Sequence, residues 1–459
     1  MSDWPVVTLK DAGVSLIDCD HKTPKSQENG LPYVGIPQIK EGRIILDGAR
    51  LITAEDFHQW RRKAKPTPND VILSRRCNPG ETAYVPEGLE IALGQNLVLL
   101  RSDGKKLYPP FLRWVVQGLD WWNQIGKFIN VGAVFDSLKC VDIPNFEIKL
   151  PPMESQKNIA DILSALDKKI ELNRQINQTL EHIAQIIFKS WFVNFEPVKA
   201  KIEAKQNGQD PERAAMCAIS GKSESDLDQL PPDQLAQLAA TAALFPDELA
   251  DSEKGVTPEN WKWSTIGKEV DVVGGGTPST KAKDFWEDGI YNWTTPKDLS
   301  GVQEKILLDT ERKITKAGLE KISSGLLPVN TVLLSSRAPV GYLALAKRPV
   351  AINQGYIAMK CADMLPPEYV LQWAESVMDE IKQRASGTTF AEISKKNFRD
   401  IPVLVPTPAL LREFQKFASA IYEKIKGSLE ESKYLTEIRE SLLPKLLSGE
   451  IELTGGGYE

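Results

Sequence analysis

Two arginine-bearing turns are the places where this sequence is best equipped to do chemistry. Val71-Ile72-Leu73-Ser74-Arg75-Arg76-Cys77-Asn78 and Val332-Leu333-Leu334-Ser335-Ser336-Arg337 each end an apolar run on arginine, and a glycine follows at the same offset, Gly80 and Gly341. A guanidinium presents a planar fork of donors that matches phosphate or the acceptor edge of guanine. A surface ion pair at a strand end is the alternative for either turn alone. Their matched placement favours binding. Lys22, Lys25 and Lys40 in the first half parallel Lys281, Lys283 and Lys297 in the second. Trp60 precedes the basic run Arg61-Arg62-Lys63. Gln38, Gln95, Asn96, Asn353 and Gln354 carry amides suited to adenine. Asn78, Thr277, Ser279, Thr388, Lys395 and Lys396 complete a candidate set for contacting double-stranded DNA.

Other chemistries fit poorly. Gly274-Gly275-Gly276-Thr277-Pro278-Ser279-Thr280-Lys281 lacks the spacing of a nucleotide phosphate loop, and Pro278 removes a backbone donor such a loop needs. It fits better as a loop offering Ser, Thr and Lys to a phosphate backbone. No methyltransferase cofactor loop or Asn-Pro-Pro-aromatic tetrad is present. Glu147-Ile148-Lys149 is half of a nuclease signature, without a suitably placed Asp on a preceding strand. The histidines (His21, His58, His182) and cysteines (Cys19, Cys77, Cys140, Cys217, Cys361) show no zinc spacing. No metal, no cofactor and no catalytic residues are expected.

The elements that position these residues come in two copies. An ordered series of local matches links residues 1–152 to residues 257–405. Thr23-Pro24 answers Thr277-Pro278, Gln95-Asn96 answers Asn353-Gln354, and Val131 to Phe135 answers Ser386 to Phe390. Asp142-Ile143-Pro144 answers Asp400-Ile401-Pro402, and the apolar stretch from Phe111 answers that from Tyr369. Each copy reads as short β-prone runs punctuated by Gly and Pro, with one buried helix.

A long helix should follow each copy, over 153–199 and 406–459. In the first, Ile159, Leu163, Leu166, Ile170, Asn173, Asn177, Leu180, Ala184 and Ile187 alternate by four and three, a coiled-coil seam with two polar positions. In the second, Phe414, Phe417, Ile421, Leu435, Ile438 and Leu442 serve as seam residues. The fold class expected is α+β: two similar mixed α/β domains separated by two long antiparallel coiled-coil helices, with a pseudo-twofold axis. Residues 200–256 read as a partly ordered acidic linker with short helices.

Composition sets limits. The 459 residues carry a net charge of −6, and the segment 201–256, with 5 basic and 11 acidic residues, accounts for all of it. Each repeated domain holds 19 basic and 18 acidic residues. Local basic patches are possible, a broad basic surface is not. If DNA is the ligand, another subunit must neutralise much of the phosphate. No apolar run reaches the ~18 residues of a membrane span. Met1-Ser2-Asp3-Trp4 does not read as a signal peptide, and the dispersed cysteines point to the cytoplasm.

The chain resembles the specificity (S) subunits of type I restriction-modification systems. The resemblance rests on Gly275-Gly276-Thr277-Pro278-Ser279, the run Ile159 to Ile170, Ser190 to Val198, and Leu442 to Ile451. It implies two target-recognition domains that read the halves of a split, asymmetric DNA site. It also implies that the helices set the gap and dock two modification (methyltransferase) subunits, with restriction (translocase-nuclease) subunits joining the complex. S-adenosylmethionine, ATP and Mg would belong to those partners, and this chain would be non-catalytic. The first domain lacks the glycine pair before its Thr-Pro, so the halves should read different sequences. The rival from another class is a two-headed protein-binding scaffold with a coiled-coil spacer.

Overall fold

The computed structural model describes residues 4–451 except 133–134, 253, 303, 362–364 and 388–390. The chain divides into two compact units, 1–171 with 432–459, and 172–431. Both boundaries fall inside long helices, Met153–Phe188 and Pro408–Ser448.

In the first unit an antiparallel sheet has the strand order Val14–Asp18, Leu97–Ser102, Val71–Ser74, Thr82–Tyr84. Val71-Ile72-Leu73-Ser74 is buried on both faces. Alternate side chains of a strand point opposite ways. Val71 and Leu73 accordingly enter the core that contains Phe111, Trp114 and Trp121, while Ile72 enters a second core with Cys19, Val34 and Leu97. A smaller sheet, Arg50–Ile52, Leu31–Val34, Ala92–Leu93, lies beyond that second core. The helices Pro109–Val115 and Leu119–Phe128 cover the first.

The second unit repeats this plan. Its main sheet runs Asp271–Gly274, Tyr356–Lys360, Val332–Ser335, Leu343–Ala346, Ile306–Leu307. Its smaller sheet runs Arg312–Ile314, Tyr291–Thr294, Val350–Ile352, again with one antiparallel and one parallel pair. Val332 and Leu334 face one core and Leu333 the other.

The long helices pair antiparallel within each unit. In the first, Asp167 meets Arg439, and Ile159 shares a core with Leu446. In the second, Asn173 donates to Glu431 at 2.8 Å, Tyr422 donates to Glu181 at 3.2 Å, and the rings of Phe188 and Phe414 lie 6.0 Å apart. Ile159, Leu163 and Ala184 are buried as seam residues should be, and so are Phe414 and Ile421.

The rest of the expected seam needs correction. Leu166, Ile170, Leu180 and Ile187 are only half-buried, as are Leu435 and Leu442. Asp167, Asn173, Asn177 and Glu181 are the buried residues along that stretch. Phe417 and Ile438 are 43% and 46% exposed. Four residues on from Phe414, Ala418 is the buried position, and the partly buried Arg439 takes the place assigned to Ile438. The two polar seam positions expected, Asn173 and Asn177, are buried, but the polar stretch extends further than expected, to Asp167 and Glu181.

Each unit anchors its domain to both helices through one buried carboxylate. Asp167 accepts from Arg113 of the domain and from Arg439 of the second helix, with Arg43 3.8 Å away. Arg113 also lies over the rings of Tyr84 and Trp114. In the other unit Glu181 accepts from the Lys305 backbone N–H at 3.2 Å and from Tyr422, whose hydroxyl accepts from Gln372 at 2.7 Å.

The first helix ends earlier than expected, in a π-helical turn over Lys189–Val193, and Phe195 at φ 58° breaks it. The segment read as a partly ordered linker is packed. Glu196–Gln206, Pro211–Ser220, Glu224–Leu227 and Pro232–Ala242 are helices, with Ala215, Met216, Leu227 and Ala242 as their core. Asp210 caps the second of them, and Lys201 is buried between Glu212 and the Phe245 carbonyl. The short helices expected there are present; what acidic composition did not reveal is that they pack on one another.

Burial pushes the Glu181 carboxyl above the usual carboxylate range, against the opposing pull of Lys305. The folded state therefore binds this proton more tightly than the unfolded chain. Stability linked to this group is greatest below the ordinary carboxylate range and is lost as pH rises through the raised value. Melting temperatures compared from about pH 8 down to about pH 5 should show wild type gaining on Glu181→Gln as pH falls. A constant difference would mean that the group titrates normally.

Candidate nucleic-acid interface

In the first domain two strands end and a third begins at one end of the main sheet, with Asp18 opposite Val98 and Ser74 opposite Leu97. The chain leaves Ser74 through a fixed set of hydrogen bonds. Arg75 N–H donates to the Asn96 carbonyl at 2.9 Å, and Leu138 N–H donates to the Arg75 carbonyl at 2.9 Å. Gly80 N–H returns to the Ser74 carbonyl at 3.0 Å. Gly80 sits at φ 101°, and a Cβ there would lie 2.9 Å from Trp122 and Ile125. The turn therefore requires glycine.

The second domain builds the same frame. Ser336 N–H donates to the Gly355 carbonyl at 2.8 Å, Ile393 N–H to the Ser336 carbonyl at 3.0 Å, and Gly341 N–H to the Ser335 carbonyl at 3.1 Å. Arg76 and Arg337 thus occupy one position. The same bonds correct an alignment: Gln95 corresponds to Gln354 and Asn96 to Gly355, one residue from the expected pairing.

The Thr-Pro loops also correspond. Tyr33 donates through its hydroxyl to the Lys22 carbonyl at 3.2 Å, and Trp293 donates through Nε1 to the Gly276 carbonyl at 3.2 Å. Pro24 and Pro278 are both buried. The missing glycine pair has a physical account. A Cβ at Gly275 would lie 1.9 Å from the Ile352 carbonyl oxygen, so that loop hugs the neighbouring chain. The first loop is two residues longer between strand and Thr-Pro, and buries Cys19, whose thiol donates to the Gly94 carbonyl at 3.1 Å. Burial pushes that thiol up to about 11.

Not all predicted residues are free to reach a ligand. Arg61 is held by Glu90 at 3.1 Å and lies over the Phe57 ring, with its side chain only 11% exposed. The Arg75 side chain, 13% exposed, donates to the Leu138 carbonyl at 3.3 Å and lies 4.0 Å from Asp18. Gln38 accepts from the Gly35 N–H at 3.1 Å, as Asp298 accepts from Thr295, so its amide caps a turn. Lys40 is exposed on a hairpin whose Arg43 pairs with Glu171 of the first long helix, away from the strand ends. Asn353 accepts from the Gly355 N–H, and Asn96 at φ 66° serves the turn. Lys283 and Lys297 pair with Glu287 and Glu311, each at 2.9 Å, but at 79% and 76% exposure these surface pairs leave both lysines within reach of a ligand. These assignments depend on side-chain packing that residue type does not reveal.

Most of the other candidates keep exposed side chains. Lys22, Lys25, Arg62, Arg76, Asn78 and Gln95 are exposed in the first domain. Lys63 is exposed too, and donates to the Cys19 carbonyl at 3.2 Å. In the second, Thr277 donates to Gln354 at 2.6 Å, Lys395 lies over Gly274, and Ser279, Lys281 and Lys396 are exposed. Thr388 lies outside the described residues. Reasoning from sequence missed two acids, Asp18 and Glu392, and the anchoring Arg113, whose charge inside an apolar helix was a usable signal.

Asp18, Cys19 and His21 are the one group of three potential metal donors among the described residues. Asp18 faces Lys63 at 3.9 Å and Arg75 at 4.0 Å as well as His21 at 3.2 Å. Such an arrangement fits an ion-pair network, because two cations already occupy the space around the carboxylate. Glu147 and Lys149 of the half-signature pair separately with Lys127 and Asp120.

Comparison with known proteins bears on this geometry. The family model for the type I restriction modification DNA specificity domain matches twice, over residues 1–182 and 258–437. The chain belongs to the type I restriction-modification specificity-subunit family. It is 35% identical over 473 residues to the type I restriction enzyme HindI specificity subunit of Haemophilus influenzae, covering 98% of this chain and 100% of that one. It is 32% identical over 201 residues to the MjaIX specificity subunit of Methanocaldococcus jannaschii, covering 43% of this chain and 45% of that one. In fold it is similar to the type I S subunit from M. genitalium, with a TM-score of 0.52 at 14% identity, covering 98% and 97% of the two chains. No helix among the described residues is long and apolar enough to cross a membrane.

The two adjacent arginines of this family member should separate structural from surface roles. Arg75→Ala removes one charge-assisted hydrogen bond, to the Leu138 carbonyl, and the ion pair with Asp18, and should cost roughly 2 kcal/mol. Arg76→Ala should leave stability within about 0.5 kcal/mol of wild type. Chemical denaturation of both variants checks this, and equal losses would contradict the assignment.

Proposed function

We propose that this chain is the DNA sequence-recognition subunit of a type I restriction-modification complex. Each domain reads one half of a split, asymmetric site through its strand-end loops, and the paired helices set the gap. The observation that carries this reading is the shared hydrogen-bonded frame that presents Arg76 in one domain and Arg337 in the other, within a specificity-subunit family member. Base edges in the major groove supply specificity, and phosphate contacts supply register. The differing loops before Thr23 and Thr277 support unlike half-sites.

Catalysis belongs to partners in this proposal. Two modification (methyltransferase) subunits dock on the helices and bring S-adenosylmethionine; restriction (translocase-nuclease) subunits bring ATP, Mg and cleavage. The chain itself acts without catalytic residues, in the cytoplasm. Near-neutral domains support such sharing, since 19 basic against 18 acidic residues in each supply little net charge for holding phosphate.

Co-expression with the modification subunits, followed by single-molecule sequencing of the host genome, tests the reading. A two-part methylated motif with a fixed gap is expected; methylation without a split motif would contradict it. Inserting one heptad into both long helices lengthens the spacer by about 10.5 Å. The gap should then grow by about three base pairs. An unchanged gap would remove the ruler role.

A further inference from the structure

The turns that carry Arg76 and Arg337 are closed by a second segment, and there the two domains differ. Arg76 bridges Ser137, and Arg337 bridges Glu392. The surrounding frame is the same. Ser137 and Asn130 exchange two backbone hydrogen bonds, at 2.8 and 3.0 Å; Glu392 and Ser386 exchange two at 3.0 Å. The next residue, Leu138 or Ile393, donates back to the residue before the arginine. Ser137 and Glu392 therefore occupy one structural position with different chemistry.

The Glu392 carboxylate lies 3.7 Å from the Arg337 guanidinium, and both side chains remain partly open to solvent. Among the described residues Arg76 makes no ion pair, and Ser137 offers it no charge. An acid at a DNA-facing end repels phosphate. It gains a favourable contact only from a base amino group, cytosine N4 or adenine N6. An adjacent arginine matches the complementary acceptors, O6 and N7 of guanine. A serine hydroxyl donates or accepts, and imposes no such demand.

We propose that the position shared by Ser137 and Glu392 determines specificity. Glu392, held beside Arg337, accepts from a base amino group in the second half-site, while Arg76 meets the first half-site without that restriction. This rests on the DNA-reading role proposed above and adds which residue discriminates.

The test uses the full chain co-expressed with its modification subunits, with methylated motifs mapped for wild type, Glu392→Gln, Glu392→Ser and Ser137→Glu. Both Glu392 variants should keep the gap and the first half-site. Discrimination at one base pair of the second half-site should fall by roughly five- to 150-fold, the range of one good base contact. Ser137→Glu should alter the first half-site alone. An unchanged motif in both Glu392 variants would overturn the proposal, and a two-part wild-type motif would still support the DNA-reading role. A wild type with no split motif would defeat that role, and this proposal with it. Melting temperatures identify any variant that fails to fold, and Glu392→Gln, which keeps the shape, then decides.

Discussion

One buried carboxylate in each unit holds the architecture together. Asp167 and Glu181 both lie on the first long helix, and each reaches its domain and the second helix at once. A buried charge is costly unless its partners satisfy it, and removing a partner leaves that cost uncompensated. Such groups contribute less to net stability than to choosing one arrangement. A helix sliding by one heptad would keep apolar residues in contact, yet would separate Asp167 from Arg439 and Glu181 from Tyr422. Asn173, donating to both Ser428 and Glu431, adds a third condition on the same register. These buried polar groups thus contribute uniqueness of register more than they contribute additional apolar area.

The two domains show how one frame serves two readings. The central strands, the serine at their ends, the returning glycine and the exposed arginine are matched residue for residue. What changes is what stands around the arginine: a longer loop with Cys19 and His21 after Asp18 in one domain, Lys395 over Gly274 and an acid at Glu392 in the other. Ser74 and Ser335 are fully buried and spend their hydroxyls on the turn, donating to the Arg76 and Pro339 carbonyls. The frame is thus insulated from the surface it presents, so that the surface can vary without disturbing the fold.

Charge follows the same division. Several basic residues near the strand ends are already neutralised by their own domain, as Arg61 is by Glu90 and Lys297 by Glu311. Lys22, Lys25, Arg62 and Arg76 in one domain and Lys281, Lys395 and Lys396 in the other stay exposed, a small set for holding phosphate. In the role proposed above, that balance leaves the general grip on DNA to other subunits.

The amino-acid sequence by itself determined the duplication, the mixed α/β domains, the two long helices and the arginine positions, because these follow from local periodicity and from repeated order along the chain. The run Val71 to Ser74 announced an apolar strand, and Gly80 with Gly341 announced the turns. Tertiary structure alone decided the rest. Whether Arg61, Arg75 and Gln38 face a ligand or their own domain depends on Glu90, Leu138 and Gly35, which are distant in sequence or hidden in backbone geometry. Asn173 and Asn177 were legible as polar seam positions, but Asp167 and Glu181 look like surface residues until Arg113, Arg439 and Tyr422 are brought to them. The short helices after Phe195 were legible, but their packing into a core of Ala215, Met216, Leu227 and Ala242 was not, since burial of a few small residues leaves little trace in composition.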